Sequence, residues 1–133
     1  MINLKFNFSN ILKIVNKNLY YSRSRGSIYN YKVITEDEIE GLINEDVYIL
    51  DVRTKNEFDK MRIKGAINIP ICEINFNITT LITDKNKRIL VYCLNGERTK
   101  EAILKLNKLG YNNIYIWQGG GLINLKQGKF IEY

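Results

Sequence analysis

Cys93 is the residue best placed for chemistry, because it ends the strongest predicted strand, Arg88–Cys93. Ligand sites of open parallel sheets lie beyond the carboxyl ends of the strands. The segment after Cys93 is short and leads into a predicted helix that begins at Arg98. A turn of this kind can point successive backbone N–H groups inward, and the helix N-terminus adds partial positive charge. Such a nest favours the thiolate, the nucleophilic form of cysteine.

Two residues of the same segment fit an anion-binding turn. Gly96 can adopt a positive φ, and Arg98 can direct two N–H donors at an oxyanion held above the sulfur. The predicted site is therefore a thiolate in an anion cradle that needs no general base. Position alone leaves a plainer alternative open, in which Cys93 is a buried apolar strand residue.

Composition limits the other chemistries that this chain can perform. The 133 residues include 20 Lys and Arg, 14 Asp and Glu, two cysteines and no histidine, for a formal charge of +6. The absence of histidine excludes Ser-His-Asp and Cys-His nucleophile systems and every histidine-containing zinc site. Two cysteines, Cys72 and Cys93, cannot form a disulfide framework or a four-cysteine metal site. We expect no metal and no organic cofactor.

Strands and helices alternate over most of the chain. Apolar runs predict one strand that begins at Val33 and four further strands, at 47–51, 66–69, 88–93 and 113–117. Capping boxes at Thr35–Glu38 and Thr54–Glu57 predict two helix starts, and a third helix is predicted from Arg98 to Leu109. A weaker helical stretch is predicted after the glycines at 119–121. This alternation predicts an α/β fold with one mainly parallel central sheet and helices on both faces.

The positive charge is concentrated at the start of the chain. Residues 1–28 hold five basic residues and no acidic one, whereas residues 29–133 hold 15 basic and 14 acidic residues. Aliphatic residues of the first segment fall on one helical face: Ile11, Leu12, Ile14, Val15 and Leu19. A basic, acid-free, amphipathic start is typical of a mitochondrial or plastid transit peptide. The alternatives are a basic tail and a cytoplasmic protein.

This charge distribution argues against nucleic acid as a partner, because the predicted domain, residues 29–133, is nearly neutral. The longest aliphatic run of residues 1–28 is two residues, which is too short for a membrane span. We therefore expect a basic extension at residues 1–28, followed by one domain.

Four blocks of the sequence resemble the signatures of rhodanese domains, which are persulfide-forming sulfurtransferases. The blocks stand in the order of that family and are Asp51-Val52-Arg53 with Glu57-Phe58, Ile63 to Pro70, Cys93 to Thr99, and Ile114 to Gly120. The resemblance implies a three-layer rhodanese-like fold. It also implies that Cys93 accepts sulfane sulfur from thiosulfate or a persulfide and passes it to cyanide or a thiol. A sulfur-relay protein is a further possible partner.

The resemblance assigns roles to individual residues. Cys93 would be catalytic, and Arg98 would hold the oxyanions of the donor. Thr99 would cap the helix beneath the loop. The loop that cradles the sulfur would consist of Leu94, Asn95, Gly96, Glu97 and Arg98. Asp51, Arg53 and Glu57 would support the site, and the spacing of four residues allows an ion pair between Arg53 and Glu57.

Two other activities stay open. One is a catalytically idle rhodanese fold that serves as an interaction module. The other is a phosphatase, which the loop disfavours, because related phosphatases have seven residues from Cys to Arg and this chain has six, from Cys93 to Arg98.

The sequence departs from the family pattern in the block before Ile63, where Met61-Arg62 replace the usual Gly-His and bring a cation toward the loops. Glu97 lies inside the cradle. If its side chain leaned inward, it would oppose the thiolate and repel anionic donors. Cys72 is expected to be a partly buried thiol, the alternative being a resolving thiol for a Cys93 persulfide.

Overall fold

A computed structural model describes residues 12–13, 19–24 and 27–133 of the chain. The strands are β1 Leu12–Lys13, β2 Leu19–Ser24, β3 Ser27–Ile34, β4 Val47–Asp51, β5 Arg62–Ile63, β6 Ile67–Asn68, β7 Arg88–Tyr92, β8 Ile114–Trp117 and β9 Ile131–Glu132. The α-helices are α1 Glu36–Ile43, α2 Lys55–Lys60, α3 Ile74–Leu81 and α4 Glu97–Lys108. Short 3₁₀ turns span Ile71–Glu73, Leu122–Asn124 and Gly128–Phe130.

The main sheet has the strand order β1-β2-β3-β8-β7-β4-β6. The five strands from β3 to β6 in this order pair in parallel, and β1 and β2 add an antiparallel edge next to β3. β5 and β9 form a separate antiparallel pair. The prediction of an α/β fold with a mainly parallel sheet is therefore confirmed.

Side chains of β7 alternate between two cores, one on each face of the sheet. Ile89, Val91 and then Cys93 face the core that contains the buried residues of α3 and α4. Leu90 and Tyr92 face the second core, which α1 covers. Because both faces are covered, β7 reads as a continuous apolar run, as parallel strands of such sheets do. Cys93 thus leaves the sheet on the side of α4.

Both predicted capping boxes are present. Thr35 caps α1 together with Glu38, and Thr54 caps α2 together with Glu57. α4 begins at Glu97, one residue before the predicted start, and Gly110 follows its end with a φ of 97°. In each case a polar side chain or a glycine of the same segment caps the helix end, which is why the sequence alone predicted the helix boundary.

Several elements differ from the predictions: β3 begins at Ser27, before the predicted start at Val33, and β5 was not predicted. α3 was not predicted, because its residues, INFNITTL, are mostly poor helix formers; burial of Ile74 and Ile78, four apart, holds it on the sheet. The predicted helical stretch after the glycines at 119–121 consists of two 3₁₀ turns followed by β9. Pairing of β9 with β5 is a long-range contact that a local pattern does not contain.

The first 28 residues fall largely outside the described part of the chain. The predicted helical face is wrong at its two described positions, Leu12 and Leu19, which lie in strands paired with β2 and β3. The domain boundary at 28 and the targeting role stay predictions. Within the described residues, no helix combines the length and hydrophobicity needed to cross a membrane.

Candidate active site

Cys93 is held at the carboxyl edge of the sheet, directly after β7. Its N–H donates to the carbonyl of Gly120 at 3.3 Å, and its carbonyl accepts from Leu122 N–H at 2.9 Å. The residue is fully buried. Both of its backbone groups are thus bonded to the segment after β8, which fixes the thiol relative to two neighbouring strands.

The loop after Cys93 turns back over the sulfur. Gly96 has a φ of 93° and donates its N–H to Cys93 Sγ at 3.0 Å. The Asn95 side chain accepts from Glu97 N–H at 3.1 Å, which closes a local turn. Gly96 is also the N-cap of α4, so the sulfur lies at the N-terminal end of this helix. Of the N–H groups predicted to form a nest, that of Gly96 is directed at the sulfur, whereas that of Glu97 bonds to the Asn95 side chain.

A glycine turn after β8 supports this loop from behind. A Cβ on Gly96 would lie 2.1 Å from the Gly119 carbonyl oxygen, and one on Gly121 would lie 2.4 Å from the Leu94 carbonyl oxygen. The two segments approach so closely because neither residue has a side chain. In the sequence these glycines marked a chain break and, at 119 and 120, part of the block that resembles the rhodanese signature, and three consecutive glycines are also a signal of close backbone contact.

Thr99 does not cap α4. Its hydroxyl donates to the Gly120 carbonyl at 2.9 Å, and the N-cap position of α4 is Gly96, which has no side chain to cap the helix. The residue is 1% exposed. The expected capping role is therefore wrong: Thr99 lies in the first turn of α4 and binds the helix to the glycine turn, so that one carbonyl accepts from both Thr99 and Cys93.

Arg98 and Glu57 form a two-fold hydrogen-bonded ion pair. Arg98 Nη1 and Nη2 donate to the two carboxylate oxygens of Glu57 at 2.7 and 2.9 Å. Hydrogen bonding from Arg98 lowers the pKa of Glu57 to about 2 against the opposing effect of burial. The same bonds raise the pKa of Arg98 above its ordinary value. The capping box with Thr54 holds Glu57 in place from the other side.

Arg53 binds Asp51, and the expected ion pair between Arg53 and Glu57 is wrong. Arg53 Nη2 donates to Asp51 at 2.7 Å, and Arg53 N–H donates to the same carboxylate at 2.9 Å. Burial alone would lower the pKa of Arg53, but the bonds to Asp51 raise it. Arg53 precedes the N-cap Thr54 and is not on the helix, so the four-residue spacing does not bring it to Glu57.

Asn68 completes this buried cluster. Its amide donates to the carbonyls of Asp51 and Arg53 at 3.0 and 2.9 Å, which fixes the turn after β4. Sequence reasoning did not select Asn68, although it lies in the block Ile63 to Pro70. A polar residue in an otherwise apolar strand beside a buried carboxylate was the available signal.

The other residues that the sequence pointed to lie at or near the surface. Glu97 is exposed, and so are Leu94 and Asn95. Cys72 is exposed, not partly buried as expected. Arg62 is bonded to the Phe58 carbonyl at 3.1 Å and pairs with Glu132 at 3.3 Å. Within the described residues, no group of three or more Cys, Asp and Glu side chains is arranged to hold a metal ion.

The fold and the loop define the class of this protein. The sequence model of the rhodanese-like domain matches residues 35–121, and the chain belongs to that family. The matched range includes the buried Asp51–Arg53 pair, the cysteine loop from Cys93 to Arg98, and the glycine turn at 119–121.

Individual relatives differ in their described activities. The chain is 34% identical to thiosulfate sulfurtransferase PspE of Escherichia coli (strain K12) over 60% of this chain and 75% of that protein. It is 33% identical to the tRNA uridine(34) hydroxylase of Bdellovibrio bacteriovorus over 62% of this chain and 24% of that protein. Among solved structures, a rhodanese with anions from E. coli matches with a TM-score of 0.55 and 32% identity, over 61% of this chain and 93% of that one.

Proposed function

We propose that this protein is a sulfurtransferase that carries sulfane sulfur as a persulfide on Cys93. The observation that carries the proposal is the 3.0 Å hydrogen bond from Gly96 N–H to Cys93 Sγ, at the start of α4. The N–H donor and the N-terminal end of α4 can stabilise negative charge at the sulfur while it attacks and while it is displaced, which suits a reaction without a general base. The likeness to a thiosulfate sulfurtransferase supports the same reaction.

The reaction proceeds in two displacements. The Cys93 thiolate attacks the outer sulfur of the donor, the donor's S–S bond breaks, and sulfite or a thiolate leaves with the electron pair. An acceptor, cyanide or a thiolate, then attacks the outer sulfur of the Cys93 persulfide. The acceptor leaves as thiocyanate or a persulfide, and the Cys93 thiolate is restored. The two displacements together move one sulfane sulfur from donor to acceptor and need no external oxidant or reductant.

Mass spectrometry of the intact protein tests this function. We expect incubation with thiosulfate or a persulfide donor to add one sulfur atom to the wild-type protein and none to Cys93→Ser. Cys72→Ser is the matched control, because Cys72 is the other cysteine of the chain and is exposed; it should gain the sulfur like the wild type. Absence of an adduct from every donor would favour the idle interaction module.

We also propose that residues 1–28 target the protein to a mitochondrion or a plastid-type organelle, because they contain five basic residues and no acidic residue. Fusion of residues 1–28 to a fluorescent protein tests this role in a plant cell, which contains both organelles. Organellar fluorescence is expected, and diffuse cytoplasmic fluorescence would contradict the targeting role.

A further inference from the structure

The two arginines of the site both have their charge balanced by a carboxylate. Arg53 is buried against Asp51, with 3% of its side chain exposed. Arg98 is engaged by Glu57 through both of its terminal nitrogens. An arginine engaged in this way keeps free N–H groups, but the paired carboxylate cancels most of its electrostatic attraction for a second anion. The cation that was expected to hold donor oxyanions is therefore already paired.

The exposed part of the loop adds negative charge and apolar surface. Glu97 is exposed at the start of α4 and forms none of the ion pairs found among the described residues. Leu94 and Ile123 are 37% and 67% exposed, and Ile123 N–H donates to the Leu94 carbonyl at 3.0 Å. An apolar edge thus flanks the segment that follows the thiol.

Thiosulfate is a dianion, and its transfer releases sulfite, which also carries two negative charges. Both species bind more strongly where the positive charge beside the thiol is not already balanced by a carboxylate. With Glu57 included, the loop from Leu94 to Arg98 carries two carboxylates and one guanidinium. This balance disfavours the dianion and does not penalise a donor whose sulfur is attached to an uncharged organic group.

We propose that the sulfur donor of this site is an organic persulfide, R–S–SH, in preference to thiosulfate, because the Glu57–Arg98 ion pair withdraws the cation that thiosulfate needs. The proposal rests on the proposed function of Cys93. The Cys93 thiolate attacks the outer sulfur of R–S–SH, the bond between the two donor sulfurs breaks, and R–S⁻ leaves with the electron pair. The Cys93 persulfide keeps the proton of the outer sulfur.

Single-turnover loading of Cys93, followed by intact mass, tests the donor class in the full chain. Three donors are compared: thiosulfate, the persulfide of N-acetylcysteine methyl ester, and a persulfidated cysteine in a peptide with blocked, uncharged ends. We expect the second-order rate constant for both persulfides to exceed that for thiosulfate by about tenfold or more. The faster of the two persulfides indicates whether a small thiol or a protein cysteine is the source.

Glu57→Gln tests the stated cause. Glutamine keeps the capping box with Thr54 but removes the charge that balances Arg98. We expect the ratio of the loading rate constant for thiosulfate to that for the ester persulfide to rise about tenfold, because only the dianion responds to the charge of Arg98 that is set free. Glu101→Gln is the matched control, since it removes the same charge from the exposed side of α4, where Glu101 pairs with Lys105 at 3.6 Å.

Each outcome bears on the proposal. Equal or faster loading of the wild type from thiosulfate would overturn the donor class and leave the Cys93 chemistry intact. A preference for persulfides that Glu57→Gln does not reduce, or that Glu101→Gln reduces equally, would overturn the role of the ion pair. Absence of loading from all three donors would instead contradict the proposed function.

Discussion

Glu57 on α2 binds Arg98 on α4 through two hydrogen bonds of 2.7 and 2.9 Å, although 41 positions separate them in the sequence. Glu57 is also the third helical residue of the α2 capping box, in which Thr54 N–H donates to its carboxylate at 3.3 Å. One carboxylate therefore stabilises a helix start and holds the arginine that ends the cysteine loop. The position of Arg98 depends on an element outside the loop.

The depressed pKa of Glu57 predicts an acid-dependent loss of stability. Since this pKa falls from 4.5 to about 2 on folding, the ion pair stabilises the protein fully above about pH 4.5 and is lost as the pH falls toward 2. At pH 7 we expect Glu57→Gln to lower the free energy of unfolding by about 1 kcal/mol, because both side chains remain partly exposed and the pair is screened.

Urea denaturation between pH 7 and pH 2 measures this dependence. The difference between the wild type and Glu57→Gln should shrink as the pH falls through the range from 4.5 to 2. Glu101→Gln provides the comparison, with a smaller difference at every pH, because its pair with Lys105 is longer and more exposed. A difference for Glu57→Gln that is independent of pH would contradict the assignment.

Gly96→Ala should disable the cysteine loop. The backbone has a φ of 93° at this position, and an added Cβ would lie 2.1 Å from the Gly119 carbonyl oxygen. We expect the free energy of unfolding to fall by about 2 kcal/mol or more. We also expect Cys93 loading to slow by about 100-fold, since the N–H that faces the sulfur must move.

Gly41→Ala is the matched control for this substitution. Gly41 lies within α1, and an added Cβ would meet nothing within 4 Å. This change should stabilise the protein by about 0.5–1 kcal/mol and leave loading unchanged. Thermal melting and intact mass measure both effects. Equal losses in the two variants would show that the strain at Gly96 has no special role.

The predictable features were those that one segment determines. Thr35 and Thr54 are followed three residues later by glutamate, which marks helix starts, and the apolar run that leads to Cys93 marks a buried strand. The position of the thiol at the carboxyl edge of the sheet followed from the alternation of strands and helices. Each of these signals is read within a few residues, and tertiary packing does not oppose any of them.

The features that were missed depend on contacts between distant segments. The partner of Arg98 was not predictable from spacing, because Glu57 lies 41 positions away and the sheet determines how α2 and α4 are placed. Burial compensates for the low helix propensity of α3, and the bond from Thr99 to Gly120 joins residues 21 positions apart. Extended pairing at Leu19 with Lys32 likewise replaced a locally plausible helix.

Asp51→Asn should destabilise the fold strongly. Asp51 is fully buried and accepts three kinds of donor from Arg53: the backbone N–H, Nε and Nη2. The substitution leaves a buried guanidinium without its counter-charge, at a cost of about 3–5 kcal/mol. Asp51→Leu combined with Arg53→Met removes both charges and should recover much of that loss. A double variant no more stable than Asp51→Asn would contradict this account.

Removal of residues 1–28 should leave a folded domain that still loads sulfur on Cys93. The retained part of β3 has its own anchors, because it pairs with β8 from Lys32 to Ile34. Asn30 N–H also donates to the Asn107 side chain of α4 at 2.8 Å. The truncation removes β2, which within the described part of the chain pairs with β1 and β3 at the edge of the sheet, so we expect a small fall in Tm and an unchanged loading rate. Circular dichroism and intact mass measure the two properties. Loss of folding would show that the first 28 residues belong to the domain and would count against a removable targeting segment.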